Sequence, residues 1–285
     1  MFSQFFGDYL VKKGSMSESD FSHCMDYMKA NRVKLGLIAE SEGLLTREQT
    51  NELNQLQAQT DKRFGDLAVE KGYLTPSDVT KLLGMQGSPY LMFIQALLEN
   101  QILDNDRIQE ELEDFQRDLN ITNSALEAIK IGDFERLLPN FLPDDKFVDR
   151  FALALRNLVR FVTPYLRIEP AITTKTYKAK YLSYQRVVSE EDGLFGFASD
   201  TQSFVPIASS FAKEDFATTD EDVLDALCEF ANCINGLYAS ELSHKNVAMD
   251  MLPPEFYEDG ELKEPNDIYI LPVYVAGERV VLLAE

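Results

Sequence analysis

A period of 29 residues runs through about the first hundred positions, and it restricts that part of the chain to a stack of like units. Phe6-Gly7, Leu35-Gly36, Phe64-Gly65 and Phe93-Ile94 open the four copies. Eight residues after each start stand Gly14, Gly43, Gly72 and, in the divergent fourth copy, Gln101. Met16, Leu45, Leu74 and Leu103 follow, and then a residue suited to cap a helix: Ser17, Thr46, Thr75 or Asp104. Asp20, Gln49 and Asp78 lie three positions beyond their caps, the spacing of a capping box, and Pro76 suits a first helical position. Each unit therefore reads as a short helix, a glycine turn and a second helix. Units of this size cannot bury an apolar face alone, so the reading expects each to stack on its neighbour.

A second constraint lies far from the repeats. Residues 218–243 read TTDEDVLDALCEFANCINGLYASELS, with Thr219 and Asp220 as N-cap candidates and acidic residues in the first turn. Val223, Leu224, Leu227, Ala231, Ile234, Tyr238 and Leu242 recur at helical spacing and form a core-facing side. Asp225, Glu229 and Asn232 fall on the other side within an arc of roughly 60°. Gly236 shares that arc, although glycine inside a helix costs about 1 kcal/mol relative to alanine. A small residue beside a carboxylate and an amide suggests that something approaches this backbone closely.

Between the two lies a break. Gly132, Pro139 and Pro143 interrupt the helical pattern, with short helices expected around 125–130 and 134–138. Lys146 to Val162 reads as an amphipathic helix. Thr173–Val188 and Leu194–Ala198 alternate as strands about a turn at residues 189–193. Residues 246–251, 267–275 and 280–283 read as further strands, with Ala276-Gly277-Glu278 turning the last pair. The expected class is α+β. An all-helical repeat module covers residues 1–116, a linker covers 117–144, and residues 145–285 form an antiparallel sheet with two long helices packed on one face.

Charge narrows the partners. Lysine and arginine number 27 against 48 acidic residues, a net charge of −21, which disfavours nucleic acid polymers and anionic membranes. The sequence shows neither a signal peptide nor a membrane-spanning apolar run, so a cytoplasmic protein is expected. Cys24, Cys228 and Cys233 show no pairing pattern, and Cys228 and Cys233, both on the 218–243 helix, read as small buried residues of a reduced protein. Two histidines, His23 and His244, do not make a metal site.

The spacing Asp225-x-x-x-Glu229-x-x-Asn232 resembles the active-site signature of the CheC/CheX/FliY chemotaxis phosphatases. Residues 146–162 carry Arg150, Ala154 and Asn157 at the equivalent positions, so only one copy of the signature is intact and CheX is the nearer relative. The resemblance implies an enzyme that hydrolyses the phospho-aspartate of a CheY-like response regulator. Asn232 would orient the water, Glu229 would pair with the regulator's lysine, and Asp225 would support the interface. It further implies no cofactor of the chain's own, Mg²⁺ supplied by the regulator, and a domain able to form a homodimer. The alternative is an adaptor that binds regulators without catalysis.

The repeats resemble the MshEN domain of type II secretion and pilus ATPases, best in Arg63-Phe64-Gly65, Gly72-Tyr73-Leu74 and Gln86, and next in Lys34-Leu35-Gly36, Gly43 and Gln57. That resemblance implies a cyclic di-GMP site held by Lys34, Gln57, Arg63 and Gln86. Lys34 stands where the family has arginine, and lysine lacks the planar fork. The other reading of the repeats is a protein-interaction platform whose glycines only make turns.

Overall fold

The structure is a computed structural model that describes residues 1–60, 62–188, 193–275 and 277–285. It divides into two compact units, Phe2–Ile131 and Gly132–Glu285, the second with Met1. The division falls inside the segment read as a linker. Among the described residues no helix is long and apolar enough to cross a membrane.

The first unit is a series of helix pairs. They are α1 (Phe2–Lys13) with α2 (Glu18–Ala30), α3 (Leu35–Ser41) with α4 (Arg47–Gln59), α5 (Phe64–Glu70) with α6 (Pro76–Gly84), and α7 (Pro89–Glu99) with α8 (Asn105–Asp118). A ninth helix, α9 (Asn123–Ile131), follows. The turn glycines take left-handed φ values of 81° at Gly14, 66° at Gly43 and 72° at Gly72. Gln101 holds the same conformation at φ 55°, so the fourth unit makes the same turn without a glycine. Ser17, Thr46, Thr75 and Asp104 each accept from the backbone N–H three residues on, and the first three form complete capping boxes. The opening glycines have a separate role. A Cβ at Gly36 would lie 2.6 Å from Thr50, one at Gly65 would lie 2.8 Å from Val79, and one at Gly7 would overlap Phe21. In all three the first helix crosses its partner too closely for a side chain.

The stacking is not only between neighbours. Phe6 of the first unit packs edge-on against Phe93 and Phe115 of the fourth. The buried Glu111 of α8 accepts from Lys13 at 2.7 Å, Ser15 at 2.6 Å and Arg107 at 2.5 Å. The ends of the array are thus held together by an aromatic cluster and a buried carboxylate whose charge is met from three sides.

The second unit begins with α10 (Phe134–Leu137), a 3₁₀ turn at Leu138–Asn140, and α11 (Val148–Phe161). Then come β1 (Leu166–Ile168), β2 (Ile172–Val188), β3 (Gly193–Ser199), α12 (Phe204–Ala212) and α13 (Glu221–His244), followed by β4 (Asp250–Met251), β5 (Glu255–Val275) and β6 (Glu278–Ala284). The antiparallel sheet runs β1-β5-β6-β3-β2-β4. β5 also pairs β2, so β5, β6, β3 and β2 close on themselves. Leu182, Tyr184, Leu194, Ile268, Ile270 and Leu283 fill the face away from the helices. The alternate residues of β2 and β3 face α11, α12 and α13: Ser183 Oγ donates to the Leu224 carbonyl, Tyr181 packs on Phe204, and Phe197 stacks on Phe230.

The α+β class and the long helices on one face agree with the sequence reading. The strand boundaries differ. β5 starts at Glu255, twelve residues before the expected start, because pairing with β2 recruits EFYEDGELKEPN, a stretch with no apolar alternation. In place of a strand over 246–251 only Asp250–Met251 pair, and Asn246 sits at a left-handed φ of 61°. Residues 189–192 of the expected first hairpin turn, and Ala276 of the second, lie outside the described residues.

Candidate functional site

α13 carries the site. Asp220 caps it, its side chain accepting from the Val223 N–H at 3.2 Å. Val223, Leu224, Leu227, Phe230, Ala231 and Ile234 are buried against the sheet and neighbouring helices. On the opposite side Asp225 and Glu229 are exposed, and Asn232 and Gly236 are half-buried. A Cβ on Gly236 would meet only Met251 Cε, at 3.9 Å, so the protein's own packing does not require glycine there. Burial pushes the Cys228 thiol up to about 11, with Asp225 and Glu229 adding smaller pushes, so this cysteine beside the carboxylates is a thiol rather than a nucleophile. Cys228 is buried as expected, whereas Cys233 is only half-buried; Cys24 is buried too, and all three are free.

Asn232 is held from behind. Its Oδ1 accepts from Gln185 Nε2 of β2 at 2.8 Å, and the same nitrogen donates to the Leu252 carbonyl at 2.8 Å. Gln185 Oε1 accepts from Asn235 Nδ2 at 2.8 Å, and Asn235 Oδ1 accepts from Arg150 Nη2 at 2.9 Å. Sequence reasoning did not single out Gln185 or Asn235. The available signal was the register of β2, where Ser183 and Gln185 place polar groups on the helix-facing side of a strand. The positions equivalent to the site on α11 are closed: Arg150 and Asn157 are buried, and Asn157 Nδ2 donates to its own helix at Leu153.

In the first unit Lys34, Gln57, Arg63 and Gln86 line one cleft of about 820 Å³, with the backbones of Gly36 and Gly65. Lys34 Nζ pairs with Glu99 at 2.5 Å and Gln86 Nε2 donates to the Val33 carbonyl at 2.8 Å. Gln57 Nε2 reaches the Lys62 carbonyl at 3.4 Å. The Arg63 guanidinium makes no hydrogen bond or ion pair among the described residues. Glu40, Asp66 and Glu99 balance Lys34, Arg47 and Arg63 around the cleft, which is locally neutral in an otherwise acidic protein.

Residues 182–271, about a third of the chain, match the family model described as chemotaxis phosphatase CheX. No curated protein is a significant match. Among solved structures, the chemotaxis protein CheX from Desulfovibrio desulfuricans is 13% identical, covers 50% of this chain and 99% of its own, and has a TM-score of 0.43. CheX from Vibrio vulnificus is 18% identical, covering 49% and 98%, at 0.42. A CheX-CheY-BeF3-Mg complex from Borrelia burgdorferi is 19% identical, covering 49% and 96%, at 0.39. The CheX family match falls within the second, α+β unit, and Gln185, Asp225, Glu229 and Asn232 all lie inside the matched segment.

Proposed function

We propose that the second unit is a phosphatase acting on the phospho-aspartate of a CheY-like response regulator. The observation that carries this reading is the single outward face of α13 on which Asp225, Glu229 and Asn232 stand, with Gly236 one turn further along. In the reaction a water oxygen bonds to phosphorus as the bond from phosphorus to the aspartyl oxygen breaks. The carboxylate leaves with the electron pair, and both water protons go with inorganic phosphate, which then gives one up to solvent to the extent the pH sets. An acyl phosphate hydrolyses readily, so the enzyme needs chiefly to place water in line. A carboxamide can donate to and accept from that water without repelling the phosphoryl oxygens. Glu229 is exposed in the free protein and becomes a charged partner for the regulator's lysine once the interface excludes water. Mg²⁺ belongs to the regulator's phosphoryl site. The test is phosphate release from a regulator phosphorylated by a small acyl-phosphate donor. Faster release with this protein supports the reading, and binding without faster release leaves the non-catalytic adaptor.

One observation favours a second reading for the first unit: four residues from two repeats converge on one cleft. We infer that this cleft binds cyclic di-GMP. Its volume falls in the range of about 300–1,000 Å³ usual for small-molecule sites. Arg63 has a planar fork free for a phosphate or a guanine edge, and Gly36 and Gly65 let the backbone come close. Titration of the intact protein with cyclic di-GMP checks it, and Arg63→Ala should weaken the binding. No saturable binding would leave the first unit as a protein-docking platform.

A further inference from the structure

The orientation of the Asn232 carboxamide is dictated by groups behind it. Arg150 is a donor only, so the atom of Asn235 facing it must be Oδ1. Asn235 therefore turns Nδ2 to Gln185, which must answer with Oε1. That leaves Gln185 Nε2 for the Leu252 carbonyl, an acceptor only, and for Asn232, which must offer Oδ1. A guanidinium at one end and a backbone carbonyl at the other read the chain in the same direction. Turning over either Asn235 or Gln185 would set like atoms against each other at every one of its contacts in this network. Arg150, Gln185 and Asn235 are 3%, 2% and 0% exposed, so water cannot repair such a mismatch.

We propose, building on the phosphatase reading, that Gln185 is a positioning residue. It holds Asn232 Oδ1 inward by one lone pair, and leaves Nδ2 and the other lone pair for the phosphoryl group and the attacking water. Asn232 then meets its substrate with donor and acceptor already in place, and no reorientation is needed at the moment of reaction.

Gln185→Glu is the sharpest test, because it preserves shape and reverses one atom. The introduced carboxylate still accepts from Asn235, but its other oxygen confronts two acceptors, and Asn232 can relieve this only by turning its Nδ2 inward. We expect kcat to fall on the order of tenfold to a hundredfold with regulator affinity within about twofold. Lowering the pH protonates the introduced carboxyl, which can then donate to Asn232, so its activity relative to wild type should recover. Gln185→Leu should lose activity without that recovery. Ser183→Ala removes a different buried hydrogen bond from the same strand face and should keep the wild-type kcat. The side-chain amide resonances of Asn232, identified by their loss in Asn232→Ala, should move in both Gln185 variants. An active wild type with Gln185→Glu equally fast at every pH would overturn the proposal. Unmoved Asn232 resonances would remove the relay alone, whereas an inert wild type would remove the phosphatase reading and the positioning role with it.

Discussion

Asn232 and Glu229 stand one turn apart on α13 and are held in opposite ways. Asn232 is braced by Gln185, while Glu229 is exposed and waits for its partner. Their substitutions should therefore separate. Asn232→Ala should lower single-turnover phosphate release about a hundredfold with little change in regulator affinity, because the amide positions water rather than holding the ground state. Wild-type turnover in that variant would exclude Asn232 as the water-orienting group. Glu229→Ala should weaken affinity and turnover together, by about 2 kcal/mol or more in binding, because the regulator's lysine would be left desolvated and unpaired. At Gly236 stability and function should trade against each other. Only Met251 Cε comes near a Cβ there, so Gly236→Ala should stabilise α13 by up to about 1 kcal/mol in thermal unfolding and weaken regulator binding by crowding the approach.

At the scale of elements, the helical repeats stand on their turns and caps. Gly72 holds φ 72° with nothing near a would-be Cβ, so the cost of Gly72→Ala is purely conformational. We expect a loss of about 1 kcal/mol in denaturant unfolding, and an unchanged midpoint would show that the turn tolerates a side chain. The capping boxes add a pH dependence. The hydroxyl of Ser17 and the hydroxyl of Thr75, each joined by its backbone N–H, hold the Asp20 and Asp78 carboxyls below the usual aspartate range. A lowered acid contributes stability that is present above its unfolded pKa and lost as pH falls through the folded one. Acidifying below about pH 4 should therefore destabilise the wild type more than an Asp20→Asn, Asp78→Asn variant, which has no such carboxyls to titrate. Equal acid sensitivity would assign the loss to other groups.

For the molecule as a whole, the break between the units sets where it can be cut. Phe134, Leu137 and Leu138 are buried within the second unit, and α10 packs against α11. A fragment beginning at Gly132 should melt cooperatively and keep any phosphatase activity. One beginning at Pro139 lacks all three of those core side chains and should melt lower, on the scale of about 3 kcal/mol for each large residue removed. Separate expression of residues 2–131 and 132–285, each followed by calorimetry, checks this. An unfolded second fragment would show that the two units do not fold independently.

What the sequence could determine by itself is what local spacing controls. The 29-residue period, the caps, the turn glycines and the arc of Asp225, Glu229 and Asn232 depend on neighbours three, four or eight positions away. Helical geometry and φ/ψ sterics convert those spacings into structure directly. The tertiary structure alone decided the rest. Strand β5 begins at Glu255 because β2 offers it a hydrogen-bonding edge, which its own polar residues do not announce. The first repeat closes on the fourth because Phe6 and Phe115 share one apolar cluster. Gln185 reaches Asn232 across 47 positions, and Arg150 reaches Asn235 across 85, so no local pattern could join them. Those long-range contacts form where the sheet carries a helix on its face, and buried amides must find partners wherever the fold places them.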